Sequence, residues 1–175
     1  EYLPIDFAEV YEREIVYEFV NSIETTEKGK TFVREDYFVE NPTSEAMLDV
    51  SVFYEKGKDD LPLLFMVQGG LGGKEDFLED GPFLDPENFA LVIFSPDGRS
   101  NSEGVEDYNG YVQQDGFYEV YRFGKSLDFV DEDKIGVVSL SYGVALVSGM
   151  LGRYQVPLDY YIEWEGPVNR HYVTA

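Results

Sequence analysis

The stretch Gly136-Val137-Val138-Ser139-Leu140-Ser141-Tyr142-Gly143-Val144-Ala145-Leu146 decides how the rest of the chain is read. Its first part has the apolar character of a buried strand. Its last part opens a segment, 142–151, that is apolar nearly all round, as a buried helix is. Gly152 follows as a plausible helix stop. Between strand and helix stands Ser141, with small Ser139 two residues before it and Gly143 two after. A serine that joins a strand directly to a helix holds a strained backbone, and its neighbours two positions away must be small to avoid collision. Its hydroxyl then projects at the sheet edge, while the helix N-terminus faces any negative charge developing beside it. The alternative is that Ser141 is simply an N-cap, a common role for serine.

Outward from that stretch, Leu63-Leu64-Phe65-Met66-Val67, Ala90-Leu91-Val92-Ile93-Phe94, Ile135-Gly136-Val137-Val138 and Tyr160-Tyr161-Ile162 are short apolar runs without alternation. That is the pattern of strands covered on both faces, as in a parallel sheet. The segments between them are long enough for crossover helices. Residues 110–130 place Val112, Val120, Phe123 and Leu127 at roughly helical spacing. The N-terminal third alternates instead. Ile15, Tyr17 and Phe19 share one strand face, and Leu48, Val50, Val52 and Tyr54 share another. Lys28-Gly29-Lys30 and Asn41-Pro42-Thr43-Ser44 are turn-like. The expected fold is α/β, a single domain over 1–175 with antiparallel strands in 1–60 and strand–helix alternation in 61–175. The sheet should be mostly parallel with an antiparallel N-terminal edge, and such sheets bind ligands at the carboxyl ends of their strands.

Composition narrows the chemistry. The chain is 43% hydrophobic and 27% charged, and its 13 Phe, 14 Tyr and 1 Trp supply much of the buriable surface. It reads as globular. With no cysteine, disulfides, thiolate metal sites and cysteine catalysis are excluded, while cytoplasmic and exported compartments both stay open. A net charge of −22 argues against binding nucleic acid or an anionic membrane through a basic face, and is read as a solvated acidic surface. No apolar run reaches the ~18 residues of a membrane span. The chain begins at Glu1 with no signal peptide before it, the appearance of a processed or cut product. No metal or cofactor is expected.

Two more strand ends are chemically unusual. Val67-Gln68-Gly69-Gly70-Leu71-Gly72-Gly73 frees backbone N–H groups to face a ligand, as an oxyanion hole or phosphate cradle would; its alternative is a flexible turn. A P-loop fails here, because Gln68 and Glu75 occupy the places of the first glycine and the Ser/Thr. A dinucleotide fingerprint starting at Gly70 fails at Glu75 as well. Ser95-Pro96-Asp97-Gly98-Arg99 closes the next strand, where Asp97 and Arg99 are read as braces for neighbouring loops. Asp131, Glu132 and Asp133 do not continue as a calcium loop, since Ile135 interrupts the pattern, and are assigned to a solvated turn.

In this order, the Gly-rich loop at 68–73, the Asp97-Gly98-Arg99 loop and the 139–143 elbow resemble the α/β-hydrolase superfamily, especially its esterase and prolyl-oligopeptidase-like branches. The resemblance covers about residues 12–170. It implies a serine hydrolase of ester or peptide bonds, with Ser141 as nucleophile and an acyl-enzyme intermediate. It also implies the Tyr142 N–H as one oxyanion donor, the Gly70-Leu71 region as the second, and Asp97, Arg99 and Gly143 as structural support. Trp164-Glu165-Gly166-Pro167-Val168-Asn169-Arg170 looks like the exit of the strand after the elbow helix. Two positions depart from the family pattern, Gln68 in place of the usual His and Ser139 in place of the usual Gly.

An activated serine needs a base and an orienting acid, which in this fold follow in the order Ser, acid, His on later strands. The chain's one histidine, His171, follows the fourth apolar run too soon for that order and reads as a surface or lid-edge residue. Glu163 or Glu165 could serve as an early acid; an edge carboxylate is the safer reading. The acid and His are therefore expected beyond residue 175, in roughly 100 further residues by typical domain size, or in a second chain completing the domain. Residues 1–175 alone should expose a strand edge and be poorly stable or associating. The competing reading is a non-catalytic hydrolase-fold binding or scaffolding protein.

Overall fold

The computed structural model describes residues 13–80 and 86–168. Its strands are β1 (Tyr17–Glu27), β2 (Lys30–Asn41), β3 (Ala46–Glu55), β4 (Leu61–Val67), β5 (Ala90–Phe94), β6 (Val130–Leu140) and β7 (Tyr160–Trp164). Helix α1 (Lys74–Asp80) follows β4, α2 (Tyr111–Lys125) follows β5, and α3 (Gly143–Tyr154) follows β6. All seven strands form one sheet in the order β1-β2-β3-β5-β4-β6-β7. The pairings from β1 to β5 through β3 are antiparallel, and those among β5, β4, β6 and β7 are parallel, as the sequence pattern predicts.

The antiparallel part is built by two tight connections. Lys28 and Gly29 both take positive φ (50° and 82°), the geometry of a two-residue turn whose twist matches a hairpin. Asn41 pairs with Ala46 across the second turn. Leu48, Val50 and Val52 point into the principal core with Tyr54 packed against it, as their alternation requires. Ile15 also packs there, and the Tyr17 ring lies 5.1 Å from Phe123.

Helices α2 and α3 cover this face. They contribute Phe117, Tyr118, Val120, Tyr121 and Phe123, then Leu146, Val147 and Met150, to the same core as Phe65 and Phe94. Each fully buried large side chain of this kind stabilises the fold by about 1.5–3 kcal/mol. Tyr118 and Tyr154 stack at 3.8 Å between ring centroids, pinning α3 to α2.

Four expectations are corrected. Helix α3 does not stop at Gly152; it continues two residues to Tyr154 and ends where Gln155 takes the left-handed conformation, because the Tyr154 ring stacks on Tyr118 and holds the last residues in the helix. Asp131, Glu132 and Asp133 are not a turn before the strand but lie within β6, in an excursion where Leu61 pairs with Val130 and Leu63 with Ile135. Leu127 lies beyond α2, though it still packs against the core. Finally, coverage on both faces holds in full only for β5: β4 alternates buried and half-buried, and β7 is largely exposed. The second face carries a small cluster of Phe53, Phe77, Leu91 and Ile93 under α1, and among the described residues β7 has β6 as its only neighbour.

Candidate active site at the carboxyl ends of the parallel strands

Strand β4 sits between β5 and β6 and the chain returns to either side of it, so the carboxyl ends of these strands frame the crevice where open α/β sheets bind ligands. Three segments meet there: the Gly-rich loop after β4, the Ser95–Gly104 loop after β5 and the elbow after β6.

At the elbow, Ser141 is exposed and has φ 47°, a left-handed conformation that costs a residue with a side chain about 1–3 kcal/mol. Its neighbours hold it there. The Ser141 N–H donates to the Trp164 carbonyl at 2.8 Å, and the Ser141 carbonyl accepts from Val144 N–H at 3.1 Å in the first turn of α3. Small residues are required for contact reasons. A Cβ on Gly143 would stand 2.4 Å from the Gln68 carbonyl oxygen, and one on Gly69 would stand 2.8 Å from Ser141 Cβ. The Gly-rich loop and the elbow thus touch backbone to backbone. Ser139 is fully buried, and its hydroxyl lies 2.8 Å from the Tyr161 hydroxyl on β7, so the larger residue at this position is accommodated by a polar partner.

The Gly-rich loop turns at Gly70, with φ 60°. Gln68 bends back to accept from Gly69 N–H at 2.9 Å. Leaving the loop, Gly73 N–H donates to Asp76 at 3.0 Å and Lys74 N–H to Ser95 Oγ at 3.0 Å. The Lys74 side chain is buried and reaches across the sheet to Asp49, to Ser51 Oγ at 3.0 Å and to Asp36 at 3.5 Å. Burial pushes the Asp49 carboxyl up despite Lys74. At Asp36 burial acts the same way, but Ser51, Arg34 and Lys74 together hold the carboxyl below its ordinary value. The exit of the loop is therefore tied to the antiparallel half by buried charges.

Asp97 and Arg99 each have their own set of partners in this region. Asp97 accepts from Asn41 Nδ2 at 2.9 and 3.1 Å and from Ser44 Oγ, which locks β5's exit to the β2–β3 turn. Burial raises its carboxyl against those hydrogen bonds. Arg99 is 3% exposed and makes a fork with Glu106 at 2.7 and 2.9 Å. Burial opposes the Glu106 charge, yet the Arg99 hydrogen bonds and charge hold its carboxyl below the ordinary value. Arg99 also donates to Asn109 Oδ1 at 2.8 Å and to the Gly70 carbonyl at 3.5 Å. Asn109 in turn donates to the Tyr142 carbonyl at 2.8 Å, and Tyr142 OH donates to the Tyr108 carbonyl at 2.7 Å.

The structure thus brings Ser141, Tyr142, Gly143, Gly70, Leu71, Asp97 and Arg99 to one end of the sheet. Glu163 ends up on β7, in register with Ser139, and Glu165 follows it with φ 54°; both are exposed. His171 lies outside the described residues. Glu106, Asn109, Gln113 and Lys74 belong to this network as well, and the sequence carries no local motif that singles them out. Among the described residues, no group of three His, Asp or Glu side chains is arranged to hold a metal ion, and no helix is long and apolar enough to cross a membrane.

No protein-family model and no curated protein sequence matches the chain. Solved structures do. An acetyl xylan esterase from Paenibacillus sp. R4 superposes with a TM-score of 0.66 at 16% identity, over 86% of this chain and 54% of its own. A CocE/NonD family hydrolase from Staphylococcus aureus gives 0.65 at 18% identity, over 90% of this chain and 32% of its own. Est1E from Butyrivibrio proteoclasticus, solved with ferulic acid bound, gives 0.57 at 20% identity, over 67% and 48%. The fold is that of the α/β-hydrolases. The chain spans about half the length of the acetyl xylan esterase it matches, 54%.

Proposed function

We propose that this chain carries the nucleophile and oxyanion-binding part of a serine hydrolase acting on ester or peptide bonds, with esters favoured because acetyl xylan esterases and Est1E are among its structural neighbours. The observation that carries the reading is the positive φ of exposed Ser141 at the junction of β6 and α3, braced on both sides by backbone contacts. Strain of this kind is kept where a side chain must be presented.

In the reaction, the Ser141 hydroxyl attacks the carbonyl carbon while its proton passes to a base. The tetrahedral oxyanion is held by the Tyr142 N–H and an N–H of the Gly70-Leu71 turn, close to the N-terminus of α3. Its collapse breaks the bond to the leaving alcohol or amine, which takes the proton, and leaves an acyl ester on Ser141. Water then cleaves that ester and releases the acid. The base and its orienting acid are assigned to polypeptide beyond residue 175, in keeping with the greater length of the structural relatives. Glu163 and Glu165 are edge carboxylates in this reading.

Hydrolysis of p-nitrophenyl acetate by the full-length protein should depend on Ser141, with Ser141→Ala lowering kcat by at least ~10⁴-fold, the scale of a triad residue's removal. Equal activity in wild type and Ser141→Ala would refute the assignment. Absence of activity in both would favour the non-catalytic binding protein.

A further inference from the structure

The loop between β5 and α2 contains two consecutive residues with side chains in the left-handed region, Tyr108 at φ 52° and Asn109 at φ 59°. Asparagine tolerates this conformation better than most residues, but a pair of them is held only by surrounding contacts. Asn109 is fully buried, and both of its backbone polar groups and both ends of its amide are used. Its N–H donates to Gln113 Oε1 at 2.6 Å and its carbonyl accepts from Gln114 Nε2 at 2.9 Å. Its side chain accepts from Arg99 and donates to the Tyr142 carbonyl, each at 2.8 Å.

The consequence is a short path between two segments far apart in sequence. Gly70 is bonded through its carbonyl to Arg99, Arg99 to Asn109, and Asn109 to the peptide that follows Tyr142. Tyr108, the neighbouring left-handed residue, accepts from the Tyr142 hydroxyl and so holds the same residue by its other end. Resting on the serine-hydrolase reading above, we infer that Asn109 is a positioning residue: it fixes Tyr142 relative to the Gly70 turn and so sets the spacing of the two oxyanion donors. The amide is specifically required. Its oxygen suits the guanidinium, whereas the Tyr142 carbonyl needs a donor, and a carboxylate would offer that carbonyl an acceptor.

Asn109→Asp is the informative variant, because it keeps the shape and the Arg99 contact while replacing the donor to the Tyr142 carbonyl by a charged acceptor. In the full-length protein, p-nitrophenyl acetate turnover should show kcat lowered about 10- to 100-fold with KM within about twofold, since misplacing a donor affects the transition state more than substrate binding. Inhibition by phenylboronic acid, whose tetrahedral adduct on Ser141 places an oxygen at the same donors, should weaken by a similar factor. Titration of active sites with a fluorophosphonate separates lost turnover per site from lost folded protein. An unchanged kcat per labelled site would overturn the inference while leaving Ser141 as nucleophile. Asn109→Gly, which keeps the positive φ and also lacks the donor, should behave like Asn109→Asp. If both variants fail to fold, Asn109 is a structural residue and the positioning role is wrong. A wild-type protein that neither turns over nor labels at Ser141 would remove the hydrolase reading, and this role with it.

Discussion

The elbow at Ser141 and the loop system from Asp97 to Gln113 lie side by side, and they are held in place by opposite means. At Ser141 itself the contacts are made by backbone, and the space for them exists because Gly69 and Gly143 have no Cβ. In the neighbouring loops the contacts are made by long polar side chains, with Arg99 joined to Glu106 and Asn109, and Asp97 to Asn41 and Ser44. The elbow should therefore be sensitive to added atoms and the loops to removed ones. The difference also assigns labour: the backbone joint sets where the serine stands, and the side-chain network sets how the surrounding loops are spaced about it.

The largest effect is expected from adding one carbon at the elbow. Gly143→Ala places a Cβ 2.4 Å from the Gln68 carbonyl. Overpacking against backbone should destabilise by about 3 kcal/mol, outweighing a gain in helix propensity of about 1 kcal/mol. It would be read as a lower urea midpoint at unchanged slope. A midpoint equal to wild type would mean that close approach is not what holds the joint.

Removal of atoms from the side-chain system comes next. Asp97→Ala leaves Ser44 Oγ without its acceptor and Asn41 Nδ2 with only the Val112 carbonyl, and should cost about 2–3 kcal/mol, the penalty of buried groups that lose a partner. Asp97→Asn keeps an acceptor and should cost less. If the two variants were equally destabilised, the charge rather than the hydrogen bonds would be the important feature.

The smallest and most specific effect is pH-dependent. The Glu106 carboxyl is held below its ordinary value of 4.5 in the folded protein, against the opposing influence of burial, by Arg99. A depressed folded-state pKa adds stability that is fully present above 4.5 and is lost as the pH falls through the folded value. The stability advantage of wild type over Glu106→Gln should thus be present at neutral pH and shrink as the pH drops below 4.5. An advantage that is constant from neutral to acid pH would show that Glu106 acts by packing and not as a charge.

The same contrast explains what the sequence disclosed. Small residues at fixed spacing around Ser141, and the apolar runs of β4, β5 and β6, are local signals, and they placed the sheet and the elbow. The partners of Arg99 are not local in that sense. Asn109 and Gln113 are set apart by burial under other parts of the chain, and half-buried Glu106 by its fork with Arg99. Lys74 is similar, since Asp49 lies on a strand whose alternation marked only its apolar face, and Asp36 lies on β2, which no pattern singled out. The acidic composition misled for the same reason: Asp36, Asp49, Asp97 and Glu119 are buried and paired, so the charge is not wholly a solvated face. Gly152 carried the usual signal for a helix end, and the aromatic stack at Tyr154 overrode it.

A presented nucleophile at Ser141, as opposed to a helix cap, reacts with a fluorophosphonate. Treating the full-length protein with that reagent and locating the adduct by peptide mass spectrometry distinguishes the two. One phosphonyl group on the peptide containing Ser141, absent from Ser141→Ala, is the predicted result. A folded wild-type protein that stays unlabelled at Ser141, or one labelled equally after Ser141→Ala, would contradict it.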